Sequence, residues 1–156
     1  MLFRSQGLGA PFWDSDARAA ILGMTRAATK EDIVAAGLEA VAFQTRDLLD
    51  AMAKDMAVSG MPSPEIVRVD GGMTANGWFM QRLADILQKP VESALMVETT
   101  ALGAAYNAGQ AIGFYGNDSE LGRHRVSVRT FAPEMSAGES AERHAGWLDA
   151  VSKVRS

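Results

Sequence analysis

An α/β fold is what this sequence predicts, and three observations predict it. A β-branched apolar run, Ile66-Val67-Arg68-Val69, stops abruptly at Asp70-Gly71-Gly72. Segments on both sides of that run carry apolar residues at three- and four-residue spacing, the mark of amphipathic helices. A second alternating segment, residues 125–131, follows much later in the chain. Too few strands are legible for a large self-contained sheet.

Residues 1–16 read as an irregular entry, with Gly7, Gly9, Pro11 and two aspartates punctuating the chain. Phe12 and Trp13 within it are expected to anchor the core. Ala19-Ala20-Ile21-Leu22-Gly23-Met24 is read as a short strand. A long helix follows. Thr29 and Asp32 fit a capping box, in which hydroxyl and carboxylate each satisfy an orphan amide. Val34, Leu38, Val41, Thr45, Leu48 and Met52 then keep helical spacing until Gly60, Pro62 and Pro64 end the element.

Glu65–Val69 is the next strand, and a helix over Ala75–Leu87 follows the Asp-Gly-Gly turn. Its buried stripe is Phe79, Leu83 and Ile86, flanked by Met80 and Leu87, and Pro90 stops it. Thr100–Phe114 reads as a helix rich in small residues, among them Ala101, Gly103, Ala104, Ala105, Ala108 and Gly109. Each glycine inside a helix costs about 1 kcal/mol relative to alanine, so tight helix-on-sheet packing is expected there. Residues 116–124 form a polar loop, and Arg125–Phe131 a strand with Val126 and Val128 on one face. Ser136-Ala137-Gly138-Glu139 repeats the capping-box pattern ahead of a last helix, whose apolar side is Trp147, Leu148, Val151 and Val154. His124 and His144 have no ligand partners at useful spacing and read as ordinary surface or interface residues.

Composition narrows the function. At 156 residues the chain is the size of one domain. Its hydrophobic fraction of 47% and charged fraction of 22% are those of a soluble globular protein. The net charge of −4 is scattered, with no basic face for a nucleic acid. The absence of cysteine excludes disulfides, thiolate metal sites and cysteine nucleophiles. No apolar run reaches the roughly 18–20 residues of a membrane span, and the first residues do not form a secretory signal. A soluble cytoplasmic protein is expected.

The chemistry concentrates at the Asp-Gly-Gly turn. Adjacent glycines admit torsions closed to other residues and remove Cβ atoms that would hold a ligand off the main chain. In open α/β sheets ligands sit beyond the carboxyl ends of strands, where such turns occur. Gly71 and Gly72 therefore read as a nucleotide or phosphate contact, or as a tight turn with no ligand. Asn76 either reads a base edge or caps the helix that follows. Asp70 invites a metal or base role, but reads first as a carboxylate orienting its own turn. The residues of a P-loop and of a dinucleotide-binding fingerprint are both missing.

Gly7-Leu8-Gly9-Ala10-Pro11-Phe12-Trp13-Asp14 with Asp16-Ala17-Arg18 resembles the opening of the carboxyl-terminal domain of the FGGY carbohydrate kinases, glycerol kinases in particular. Gly23-Met24-Thr25-Arg26, residues 38–45, Asp70-Gly71-Gly72-Met73, residues 83–87 and residues 98–106 resemble the same family in the same order. The tail, Glu142-Arg143 with Ala145-Gly146-Trp147 and Ala150-Val151, is similar to glycerol kinases rather than to kinases of pentuloses such as xylulose or of gluconate. Ser93-Ala94 departs from the arginine and proline usual there, Gly37 stands where the family has a side chain, and residues 1–6 do not match.

The resemblance implies an actin-like (ribonuclease H-like) ATPase fold of two domains around a cleft, present here in part. Residues 7–151 would be the carboxyl-terminal nucleotide-binding domain, with residues 1–6 and 152–156 as flanking ends. It implies transfer of the ATP γ-phosphoryl group to a terminal hydroxyl of glycerol, with Mg2+. Gly72 matches a position close to the adenosine and its phosphates, Asn76 one at the adenine, and Gly71 and Met73 belong to the same turn. The family's catalytic aspartate and glycerol-binding residues lie upstream of anything matched. No catalytic or metal-binding residue is therefore assigned in this chain, and inactivity alone is expected. The alternatives are another sugar kinase of the family, or a non-catalytic binding or assembly remnant. Loss of the other domain would expose apolar surface, so self-association into a homo-oligomer is expected.

Overall fold

Local chemistry sets the start of the first helix, α1 (Lys30–Val58). Thr29 Oγ1 accepts from the Asp32 amide at 3.2 Å, and the Thr29 amide donates back to Asp32 Oδ2 at 2.9 Å. The Thr29 amide, and then its hydroxyl, hold the Asp32 carboxyl below its ordinary range. The computed structural model describes residues 7–94, 99–114 and 128–155. After α1 come β1 (Val67–Val69), a 3-10 turn (Gly72–Ala75), α2 (Gly77–Leu87), β2 (Val91–Ala94), α3 (Thr99–Ala111), β3 (Val128–Phe131) and α4 (Ala137–Val154).

The three strands form one mixed sheet in the order β1-β2-β3. β1 and β2 run parallel, Val67 opposite Val91, with α2 as their crossover. β2 and β3 are antiparallel, Val91 opposite Phe131. The four-residue β2 is not anticipated by the sequence reading. It begins directly after Pro90, whose carbonyl accepts from the Val67 amide at 2.9 Å.

The core lies between α1, α2 and the sheet. All five apolar residues expected on α2 (Phe79, Met80, Leu83, Ile86, Leu87) are buried there, with Ala42 and Phe43 of α1 and Val91 of β2. On α1, Leu38 and Val41 pack against this core, whereas Val34, Leu48 and Met52 are exposed. The helix turns a different face inward, one that carries Ala42, Phe43 and Asp47.

Polar ties fasten α4 to α1. The buried Asp47 carboxylate contacts His144 Nε2 at 2.6 Å and accepts from Trp147 Nε1 at 2.7 Å. Phe43 stacks against both rings. His144 is thus a half-buried partner of a buried carboxylate, an interface residue within the fold. Arg46 donates to the Ile86 carbonyl at 3.2 Å and to Ser140 Oγ at 2.9 Å. Asp85 Oδ1 accepts from the Glu134 and Met135 amides at 2.8 and 3.1 Å, holding the segment that leads into α4.

Other expectations need correction. The segment 19–24 is not a strand; Ile21, Leu22 and Met24 are exposed there, and none of its residues pairs with a described strand. Trp13 is 79% exposed, because residues 8–14 close on themselves through Leu8 and Asp14 and leave it outside. Phe12 stands outside the core cluster and carries the Arg155 guanidinium over its ring at 5.3 Å. Ser136 caps α4 by accepting from the Glu139 amide, but the Glu139 carboxylate turns to Arg143 instead of completing the box. Of the small residues of α3 only Gly109 is buried, and most of the others do not pack against a described layer. Ala101, Ala104, Ala105 and Ala108 are exposed, and a Cβ on Gly103 would meet nothing within 4 Å. Residues 116–124, with His124, and the first three residues of the expected strand 125–131 lie outside the described residues.

Candidate functional site

The Asp-Gly-Gly turn leaves the end of β1 and enters α2, so strand, turn and helix are continuous. Gly71 has φ 96° and ψ 175°, a region essentially closed to residues with a side chain. Its glycine is required by the backbone. Gly72 is different. It opens the 3-10 turn without a positive φ, and a Cβ built on it meets nothing within 4 Å. The two neighbouring glycines thus have separate reasons: one torsional, the other unexplained by the described atoms.

Gly72, Met73, Ala75 and Asn76 are exposed, while Thr74 turns inward and is buried. Thr74 donates to the Gly71 carbonyl twice, from its amide at 3.0 Å and from its hydroxyl at 2.7 Å. The Asn76 amide donates to the Met73 carbonyl at 3.1 Å, and Asn76 Oδ1 accepts from the Phe79 amide at 3.1 Å. Asn76 is therefore the N-cap of α2, with its carbonyl oxygen engaged and its Nδ2 donors remaining for other contacts. Trp78, two residues on, is half-exposed and held under the Arg82 guanidinium at 5.3 Å; Arg82 pairs with Glu39 at 3.0 Å.

The structure thus gathers Gly71, Gly72, Met73 and Asn76 on one exposed turn at the carboxyl end of a strand. Thr74 is the residue the sequence reading missed. Its signal was a threonine three positions after a glycine at a strand end, a spacing that suits a hydroxyl-to-carbonyl turn bond. Asp70 is exposed beside the turn. Among the described residues no group of three or more His, Asp or Glu side chains could hold a metal ion. No described helix is long and apolar enough to cross a membrane.

A small mixed sheet with helices across it and an open glycine turn at a strand end is shared with sugar kinases of the actin-like ATPase fold, of which this chain forms a carboxyl-terminal part. Residues 3–112 match the profile of the FGGY family of carbohydrate kinases, C-terminal domain, and the chain belongs to that family. It is 50% identical over 150 residues to a glycerol kinase of Ectopseudomonas mendocina, covering 96% of this chain and 30% of that protein. It is similar to the crystal structure of Plasmodium falciparum glycerol kinase with ADP, at 37% identity and a TM-score of 0.81, over 96% of this chain and 29% of that one. A ligand-bound xylulose kinase from Lactobacillus acidophilus shares the fold at 23% identity and a TM-score of 0.70, over 93% and 28% of the two chains. The chain spans about 30% of the length of the curated relatives it matches.

Proposed function

We propose that residues 7–151 form the carboxyl-terminal, nucleotide-binding domain of a cytoplasmic ATP-dependent glycerol kinase (glycerol + ATP to glycerol 3-phosphate + ADP). The observation that carries this is the 50% identity to a protein named glycerol kinase over 96% of the chain. Gly71, Gly72, Met73 and Asn76 supply one wall of the nucleotide site. Gly72 lets the nucleotide approach the backbone, since nothing else in the described structure uses its missing Cβ. Asn76 offers Nδ2–H donors to the base while its oxygen caps α2.

ATP is the phosphoryl donor in this reading, and Mg2+ travels with its phosphates. The described residues offer the ion no ligand cluster, so none is assigned to it. No described residue is given the role of general base. The exposed apolar side chains, Ile21, Met24 and Ile112 among them, support self-association of the chain.

Two measurements on the purified chain test the proposal. With ATP, Mg2+ and glycerol it produces no glycerol-dependent ADP. In an NMR titration, ADP at millimolar concentration shifts the amide signals of residues 71–76 ahead of all others. Turnover by the chain alone overturns the assignment of the chemistry to the absent part. A titration without shifts overturns the nucleotide wall and favours an assembly module.

A further inference from the structure

The front of the turn rests on an unusual backbone state. Gly71 sits at φ 96°, ψ 175°, and glycine has more conformational freedom to lose than any other residue, so its own torsions do not keep it there. Among the described residues its carbonyl is held by Thr74. Two donors of that residue converge on it, the hydroxyl at 2.7 Å being the shorter contact. Thr74 is buried, whereas the residues on either side of it are exposed. At the back of the turn Asn76 performs the matching task, closing on Met73 and on Phe79. The exposed residues Gly72, Met73 and Ala75 arch between these two fixed points.

We infer that Thr74 is a positioning residue for this turn: its hydroxyl, rather than its bulk, holds the Gly71 carbonyl and keeps the arch in the shape a nucleotide meets. The link to a nucleotide rests on the function proposed above; the hold on the turn does not. Valine keeps the shape of threonine and removes the donor. Serine keeps the donor and removes the methyl group.

The experiment compares the chain with its Thr74→Val and Thr74→Ser variants by NMR. Thr74→Val speeds amide exchange over residues 71–76 by about fivefold, the loss of one ordinary hydrogen bond. It weakens ADP binding by a similar factor and lowers the unfolding midpoint by no more than that one hydrogen bond is worth. Thr74→Ser restores both the exchange rates and the ADP affinity. If Thr74→Val matches the parent chain in exchange, or if Thr74→Ser fails to restore it, the inference is overturned. If ADP leaves the parent chain unshifted, the nucleotide reading fails, and the exchange comparison decides the role of Thr74 by itself.

Discussion

Between α1, α2 and the sheet, Met80, Ile86 and Val91 are fully buried, and the α4 contact is sealed by hydrogen bonds to Asp47 and Ser140. Along α3 the pattern reverses. Ala101, Ala104, Ala105 and Ala108 face outward, and just beyond the helix Ile112 and Phe114 are 80% and 74% exposed. The first region satisfies itself with what this chain carries. The second presents mostly exposed small and apolar side chains, with Gly109 alone buried among its small residues. A chain spanning about 30% of its relatives' length can therefore complete one core and leave another surface open. The Asp-Gly-Gly turn is built like the first region at Thr74 and like the second at Gly72.

Substitution separates these regions. The largest effect is expected from Met80→Ala, a cavity in the closed region, which costs about 2–5 kcal/mol in chemical denaturation. Ile112→Ala on the open side stays within about 0.5 kcal/mol, as surface changes usually do. Equal losses at the two positions would break the comparison. A smaller contrast lies inside the turn. Gly71→Ala forces a side chain into a glycine-only torsion and costs about 1–3 kcal/mol, while Gly72→Ala leaves stability within about 0.5 kcal/mol. Similar costs for both would mean that the glycines share one structural purpose. The smallest effect is a gain. Gly103→Ala adds a methyl group that meets nothing and removes a helix penalty, so stability rises by up to about 1 kcal/mol. A loss at that position would show that α3 is packed after all.

The sequence is most readable where structure depends on neighbours along the chain. The α1 start follows from Thr29 and Asp32, which touch each other across three residues. The α2 stripe follows because its inner face is apolar throughout, from Phe79 to Leu87. The inward face of α1 is not legible in the apolar spacing, because it carries Asp47 and Arg46 beside Ala42 and Phe43, while the plainly apolar Val34, Leu48 and Met52 face outward. Only the placement of His144 and Trp147 makes a buried carboxylate acceptable, and no local pattern contains that pairing. The turn was legible as a place for a ligand, through Asp70-Gly71-Gly72. The division of labour between its glycines was not, since torsion angles are not written in composition. In α3 small residues point to close packing, and a spacing pattern does not say which of them is covered: Gly109 is buried, whereas Ala101, Ala104, Ala105 and Ala108 are exposed.

The fastening of α4 onto α1 carries a consequence for synthesis. Asp47 meets its two partners 97 and 100 residues further along, and Arg46 meets Ser140 after 94. A ribosome delivers α1 long before it delivers α4, at roughly 5–20 residues per second. For several seconds the nascent helix carries a carboxylate, a guanidinium and an aromatic ring intended for a partner not yet made. The fastening of α4 is therefore a late event in synthesis, made by polar groups that α1 has carried since the chain's first half.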